Sequence, residues 1–370
     1  MNKNMIDFFE DTVSKYPDKV CIIDGERSIT FRELREYGEK YARILLRESG
    51  DSKNSPVAVF LPKCLEVYEI DIACTYSGNI FMNLDVKTPL ARIKNIIELI
   101  QPVFLVTNER YRDMLSEIAG NITIIDIEAM SVQDLSTDNK LLERRRKEMI
   151  DTDPFCMINT SGSTGTPKGV VLNHRSFFDF LDWSIGKFHF DGTERIGALS
   201  PIVFDIYEYE LCLMMKSGSQ IVLLDSTLAV YPAKLIKYVQ EQRVNFIFWV
   251  PSIMVNIANM NLLEKIPLNE LKHVWFAGEV FPTKQFNYWK RNLPDATFTN
   301  LYGPIEITLD CTYYTVNRDF LDSEPLPIGY ACENTDVMLL NDTNELCKSN
   351  EVGEICVRGT SLAMGYYNNQ

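Results

Sequence analysis

Asn159-Thr160-Ser161-Gly162-Ser163-Thr164-Gly165-Thr166-Pro167-Lys168-Gly169 holds seven consecutive Gly, Ser and Thr residues, then Pro-Lys-Gly. Apolar runs flank it, Phe155 to Ile158 before and Val170 to Leu172 after, so the stretch reads as strand, hydroxyl-rich loop, strand. Such a loop gathers backbone N–H groups and hydroxyls around one small volume, with a lysine beside them. Backbone concavities of this kind bind anions, phosphates above all. Glycine adds close approach to a ligand and access to φ > 0. The competing reading is an ordinary flexible turn. The stretch is not a Walker loop, which needs Gly before its Lys and Ser or Thr after it. Here Pro167 precedes Lys168 and Gly169 follows, and proline has no N–H to offer a phosphate.

Working outward, strands and helices alternate. Residues 2–16 read as an amphipathic helix with Met5, Phe8, Phe9 and Val13 on one face. Val20 to Ile23 reads as a strand. Thr30 with Glu33 reads as a capping box opening a helix that runs to about Leu46. Val57 to Leu61, Ile80 to Leu84, Phe104 to Thr107 and Ile122 to Ile125 read as strands, with helices at 65–77 and from Pro89 to Leu99. Residues 131–152 are polar and read as a link. A helix is expected at 174–187, and strands at Ile196–Leu199, Ser219–Leu224, Phe246–Val250 and His273–Ala277. From about Cys311 short strands separated by Gly, Asn and Asp turns take over. The pattern is that of layered α/β units followed by a β-rich end.

The 370 residues predict two or three subdomains. Apolar (46%) and charged (24%) contents are those of a globular protein. A net charge of −14 argues against nucleic acid or an anionic membrane as the main partner. The basic run Arg144-Arg145-Arg146-Lys147 reads as a solvated helix face. Nine scattered cysteines, none in CxxC spacing, suggest buried free thiols in a reducing cytosol. No secretory leader or membrane-length apolar run is present in the sequence, and three unclustered histidines give little support to a histidine metal site.

Thr160 to Gly169 resembles the phosphate loop of the adenylate-forming enzymes: acyl-CoA synthetases, luciferases and amino-acid adenylation domains. Other segments follow in that family's order. Ser28–Leu34 resembles its early Thr-Tyr-x-Glu-Leu segment, and Asn83-Leu84-Asp85 with Pro89 and Arg92-Ile93 its Pro-Leu-Asp…Pro…Arg-Ile segment. Phe204-Asp205, Ala277-Gly278-Glu279, Asn300-Leu301-Tyr302-Gly303-Pro304-Ile305-Glu306, and Gly353-Glu354-Ile355 through Gly365-Tyr366 complete the set. The resemblance spans the whole chain. It is nearest to the carrier-protein-loading branches, nonribosomal peptide synthetase adenylation domains and D-alanine–carrier-protein ligases.

The resemblance implies an acetyl-CoA synthetase-like large N-terminal domain. It would have a first α/β subdomain at about 1–150, a second with the phosphate loop at about 151–310, and a small distorted β-barrel at about 311–370. The family's ribose-binding aspartate, hinge and small C-terminal lid with its lysine would follow Gln370. The 370 residues alone are therefore expected to be weakly active or inactive. The implied reaction is ATP-dependent activation of an amino acid for loading onto a phosphopantetheinylated carrier protein, with Mg²⁺, in the cytoplasm. Thr160, Ser161, Gly162, Ser163, Thr164 and Gly165 would hold phosphates. Lys168 would assist catalysis or only stabilise the loop. Gly278, Glu279, Asn300, Leu301, Tyr302 and Gly303 would form the nucleotide side, with Tyr302 either stacked on adenine or a core tyrosine. Glu306 would bind Mg²⁺, or else be an ordinary turn acid.

Asp205 would pair with a substrate ammonium, the alternative being a helix N-cap. Ile206, Tyr209, Phe248, Trp275, Ala277, Leu301, Leu309 and Asp310 would line a small side-chain pocket, favouring a substrate such as alanine or serine. Asp310 would accept a hydrogen bond, take a second ammonium, or turn outward to solvent. One departure stands out: Ile305 replaces a threonine whose hydroxyl contacts the α-phosphate in the family. Its loss removes a hydrogen bond to a charged group worth roughly 1.5–3 kcal/mol. A nucleotide-binding pseudoenzyme or regulatory module, and an acyl- or aryl-CoA ligase, are the alternative functions.

Overall fold

The computed structural model describes residues 2–49, 52–131, 139–161 and 167–368. Among them, two large sheets face each other across a layer of helices. One sheet has seven strands in the order Gly365–Tyr366, Pro167–Asn173, Pro154–Ser161, Ile80–Leu84, Pro56–Phe60, Phe104–Thr107, Thr123–Asp126. The other has nine, in the order Tyr330–Ala331, Thr312–Thr315, Thr297–Tyr302, His273–Phe276, Phe246–Trp249, Arg195–Ala198, Gln220–Leu223, Val20–Asp24, Arg27–Thr30. The central strands of both are parallel.

Both faces of each sheet are covered, and the side chains divide with period two. Val57 and Val59 point to the shared central core, while Ala58 and Phe60 point to an outer core with helix Leu90–Ile100. Likewise Phe246 and Phe248 face inward, and Ile247 and Trp249 pack outward with helices Pro232–Glu241, Pro251–Asn259 and Thr283–Asn292. Parallel strands buried on both faces read as continuous apolar runs, as these do.

Helices Leu65–Ser77 and Asp205–Ser217 lie in the central layer. Every residue from Val67 to Ser77 and from Ile206 to Met215 is buried. A helix buried all round must be roofed on every side. Some of the polar groups carried into this layer are cross-linked: Asp71 Oδ2 accepts from Tyr207 Oη at 2.6 Å and from Asn83 Nδ2 at 2.9 Å. That one carboxyl joins both helices to strand Ile80–Leu84. Lys63 makes a second tie, donating from Nζ to the carbonyls of Ala198 and Ser200 at 2.8 and 2.7 Å.

Local signals act as expected. The Thr30 N–H donates to Glu33 Oε2 at 2.8 Å and the Glu33 N–H to Thr30 Oγ1 at 3.3 Å, a reciprocal capping box opening helix Phe31–Ser49. All nine cysteines are free thiols, six of them buried. The residue 131–152 link contains helix Asn139–Glu148.

The expected subdomain boundaries need correction. The hairpin Pro154–Ser161/Pro167–Asn173 belongs to the seven-stranded sheet with the earlier strands, not to a second unit beginning at 151. Conversely, Val20–Asp24 pairs in parallel with Gln220–Leu223, placing Ile22 opposite Ile221. Each sheet therefore draws on both halves of the chain. The 311–370 segment is strand-rich, but its strands divide three ways. Thr312–Thr315 and Tyr330–Ala331 extend the nine-stranded sheet, Gly365–Tyr366 joins the other, and Thr335–Leu340 pairs with Glu354–Gly359 as a separate hairpin. Alternation alone cannot say which of two similar sheets a strand joins.

Burial pushes the Asp71 carboxyl up to about 7, against the pull of Asn83 and Tyr207. A carboxyl raised in the fold contributes full stability below its unfolded value and loses it as pH rises through the folded one. Asp71→Asn keeps the shape and cannot ionise. Its thermal midpoint relative to wild type should therefore be more favourable at pH 8 than at pH 5, by several degrees. Equal differences at the two pH values in thermal melts would show that Asp71 carries no ionisation penalty.

Candidate functional site

The parallel strands of the nine-stranded sheet end together at one rim. Leu199-Ser200-Pro201, Val250, Ala277-Gly278-Glu279 and Gly303 follow four of these strands, and helix Asp205–Ser217 starts beside them. Open α/β sheets hold ligands at this rim, outside the carboxyl ends of their strands. A cavity of 520 Å³ lies there, lined also by Phe204, Asp205, Ile206, Phe248, Leu309 and Asp310. A second cavity of 620 Å³ adjoins it, sharing Phe204, Asp205 and Gly303. Asn83, Asp85, Lys87, Arg92, Asn159 and Thr160 line this one, so it reaches the base of the hydroxyl-rich hairpin.

Of the expected substrate-side residues, Asp205, Ile206, Phe248, Ala277, Leu309 and Asp310 come together at the first cavity. Tyr209, Trp275 and Leu301 do not line it. Tyr209 lies one helical turn beyond Asp205, and Trp275 lies two residues before Ala277 on its strand, one pleat deeper. The two rings stack on each other, centroids 5.4 Å apart and 25° from parallel, and Phe248 meets Trp275 edge-on at 5.5 Å. They form a wall behind the cavity.

Asp205 is the first residue of its helix, and Phe204 occupies the N-cap position. Burial raises the Asp205 carboxyl to about 6, opposed by nearby backbone N–H groups of Ile206, Asp205 and Leu309. Asp310 is only 5% exposed, and burial holds its carboxyl well above the usual carboxylate range, with the Asp205 charge adding to the rise.

A strained turn aims Asp310. Thr308 and Leu309 both have positive φ, 50° and 68°. For a β-branched threonine this is a costly backbone state, of order 1–3 kcal/mol. The turn closes onto Gly303, where an added Cβ would lie 2.5 Å from the Leu309 carbonyl oxygen and 2.6 Å from the Asp310 Cα. Gly278 lines the rim with φ +83°, a conformation that suits glycine.

The nucleotide-side residues disperse more. Glu279 lines the cavity and accepts from the Ser252 N–H at 2.8 Å, so it also caps helix Pro251–Asn259. Asn300 is buried and donates to the Pro327 carbonyl at 2.8 Å, tying down a neighbouring segment. Tyr302 is exposed at the strand end, so it is not a core tyrosine. Lys168 sits opposite Thr160 in the hairpin ladder, with its Nζ 4.7 Å from the centre of the Tyr366 ring. Tyr366 Oη donates to Glu306 Oε1 at 2.8 Å. Tyr366 thus bridges Lys168 and Glu306, a link that sequence reasoning missed although the Gly365-Tyr366 segment was in view. Ser161 is the last described residue of its strand. Gly162, Ser163, Thr164 and Gly165 lie outside the described residues.

Ile305 lines the second cavity with an alkyl side chain. Among the described residues no three His, Cys, Asp or Glu side chains cluster as a metal cage. A single carboxylate beside the phosphate-loop hairpin is a donor that would suit Mg²⁺, a hard cation that prefers oxygen ligands. Glu306, half-buried beside the hairpin and with no partner for Oε2 among the described residues, is the carboxylate that would serve.

Gly303→Ala should destabilise the fold by about 1–3 kcal/mol, because both clashing groups are backbone. Thermal melts would measure the loss. A variant as stable as wild type would mean that the Leu309–Asp310 turn moves freely.

The chain matches the family of AMP-binding enzymes over residues 9–367. It is 26% identical to tyrocidine synthase 1 of Brevibacillus parabrevis, covering 99% of this chain and 32% of that protein. It is 26% identical to zwittermicin A synthase ZmaJ of Bacillus cereus, covering 97% of this chain and 68% of that one. Among solved structures, a nonribosomal peptide synthetase, FmoA3, superposes with a TM-score of 0.87 at 21% identity, over 99% of this chain and 38% of that one. The chain thus spans about a third of the large synthetases it matches. The two-sheet fold is that of the adenylation domains. With its phosphate-loop sequence, rim cavity and full-length match taken together, the chain belongs to the AMP-binding enzyme family.

Proposed function

We propose that this chain activates an amino acid with ATP, for transfer to the phosphopantetheine thiol of a carrier protein. A substrate carboxylate oxygen attacks the α-phosphorus of ATP. The bond from that phosphorus to the β-phosphate bridging oxygen breaks, and pyrophosphate leaves with the electron pair. No proton need move, so positioning and charge neutralisation carry the catalysis. Thr160, Ser161, Gly162, Ser163, Thr164, Gly165 and Lys168 hold the phosphates. Glu306 would hold Mg²⁺, which would supply neutralisation of phosphate charge. Gly278, Glu279, Tyr302 and Gly303 bound the adenosine. The reaction belongs in the cytoplasm, where ATP and carrier proteins meet.

The observation that carries the amino-acid reading is Asp205. Asp205 lines both cavities: the first has no lysine, arginine or histidine among its lining residues, and the second has Lys87 and Arg92. A desolvated carboxylate wants a cation, and a substrate ammonium supplies one. An acyl- or aryl-CoA ligase would have no use for this charge. Ile305 supports a second reading, a nucleotide-binding module without turnover, because its side chain offers the second cavity no hydroxyl.

Amino-acid-dependent ATP–pyrophosphate exchange by the whole protein separates these readings. Exchange is expected with at least one amino acid, and Asp205→Ala should lower it at least about thirtyfold, as loss of one partner of a buried charge pair does. Exchange with no amino acid, D-alanine included, would sink the activation reading. Exchange that survives Asp205→Ala would sink the ammonium contact alone.

A further inference from the structure

Three segments meet at Tyr366. Strand Gly365–Tyr366 lies antiparallel to Pro167–Asn173, with Tyr366 opposite Val170. Residues two apart along a strand share a face, so Lys168 is the diagonal neighbour of Tyr366, and Thr160 lies opposite Lys168. The Lys168 ammonium stands 4.7 Å from the ring centre, and the Tyr366 hydroxyl donates to Glu306 Oε1 at 2.8 Å. The backbone does the fastening. The Ala363 N–H donates to the Glu306 carbonyl at 2.8 Å, the Met364 N–H to that of Val171 at 2.9 Å, and the Tyr367 N–H to that of Gly169 at 2.8 Å. Tyr367 also packs against the outer core. Tyr366 itself is 36% exposed, so the place of this strap does not depend on burying its ring.

Each contact leaves its partner's binding capacity unspent. A cation over an aromatic face is held by the ring's quadrupole, and its N–H groups stay available to acceptors. The Lys168 ammonium has no hydrogen bond or ion pair to a described residue. The phenol engages one Glu306 oxygen, and Oε2 has no partner among the described residues. A direct ion pair would spend the charges of Lys168 and Glu306 on each other; Tyr366 stands between them instead. Phenylalanine would supply the ring alone. The Glu306 hydrogen bond pushes the Tyr366 hydroxyl up from its ordinary value, so it stays a donor at neutral pH.

Building on the reading above of Lys168 as a phosphate ligand and Glu306 as the Mg²⁺ carboxylate, we infer that Tyr366 is a positioning residue for both. Its ring holds the Lys168 ammonium in place for phosphate, and its hydroxyl fixes the orientation of the Glu306 carboxylate. Metal-ligating carboxylates are themselves hydrogen-bonded, and loss of such an outer partner typically weakens metal binding about 10–100-fold. The two parts of the side chain therefore serve different ligands, the ring the nucleotide and the hydroxyl the cation.

Calorimetric titration of the whole protein with ATP, in excess Mg²⁺ and separately in a chelator, tests this. Tyr366→Phe keeps the ring and loses the hydrogen bond. It should weaken Mg²⁺–ATP binding about tenfold and leave Mg²⁺-free ATP binding within about twofold of wild type, since the ring remains under Lys168. Tyr366→Leu loses both contacts and should weaken Mg²⁺-free binding as well, by about threefold. In a Glu306→Ala background Tyr366→Phe should add no further loss, because two residues acting through one contact are not additive. Equal loss of both forms of ATP binding in Tyr366→Phe would mark a merely structural role and overturn the inference. So would Tyr366→Phe matching wild type in Mg²⁺, or a tenfold loss that persists without Glu306. If neither Lys168→Ala nor Glu306→Ala weakens Mg²⁺–ATP binding, the phosphate and metal reading of the site itself fails, and the inference falls with it.

Discussion

Two helices with no solvent-facing side dictate this architecture. Leu65–Ser77 and Asp205–Ser217 are buried around their whole circumference, so each needs a sheet against one flank and helices against the others. Facing two sheets across one helical layer satisfies both at once. Some of the polar atoms taken inside find one another, while the Tyr68 hydroxyl and both Glu210 carboxyl oxygens have no hydrogen-bond partner among the described residues. The Asp71 carboxyl, reached by Tyr207 from one helix and by Asn83 from a strand of the seven-stranded sheet, is the clearest case. Lys63 does the same across the rim, reaching two carbonyls at the end of strand Arg195–Ala198. These ties set the helix that begins at Asp205 in depth and rotation, and so aim the carboxylate on which the candidate site turns.

Local grammar made much of this legible in the sequence. The Thr30–Glu33 capping box is a contact over three residues, so it can be read without knowing the fold. Strands such as Ile80–Leu84 and Phe104–Thr107 stand out because burial on both faces demands an unbroken apolar run. Sheet membership is a different matter. Val20–Asp24 pairs with a strand some two hundred residues away, and nothing in its own alternation favours that partner over the nearer sheet. The same blindness put the phosphate-loop hairpin in the wrong layer. Pairing is decided by long-range packing, and the period-two pattern is identical in both sheets.

Within the site, position in the family order named the residues but not their depth. Ala277 and Trp275 share one face of a strand, yet only Ala277 lines the rim cavity, because two residues of strand carry Trp275 about 7 Å back into the core. Asn300, expected on the nucleotide side, donates to the Pro327 carbonyl and so anchors that segment. The Tyr366 bridge between Lys168 and Glu306 joins three segments far apart in sequence, so no local pattern could reveal it. The left-handed turn at Thr308–Leu309 was equally invisible, since neither residue favours that conformation.

That turn gives the site its character. A positive φ at threonine and leucine, and a glycine whose missing Cβ admits the backbone of the next segment, are costs that packing elsewhere must cover. What they hold in place is a second buried carboxyl beside the first. Burial, and then the neighbouring Asp205 charge, push the Asp310 carboxyl well above the usual carboxylate range. Positive charge at this rim would lower the cost of burying both carboxyls.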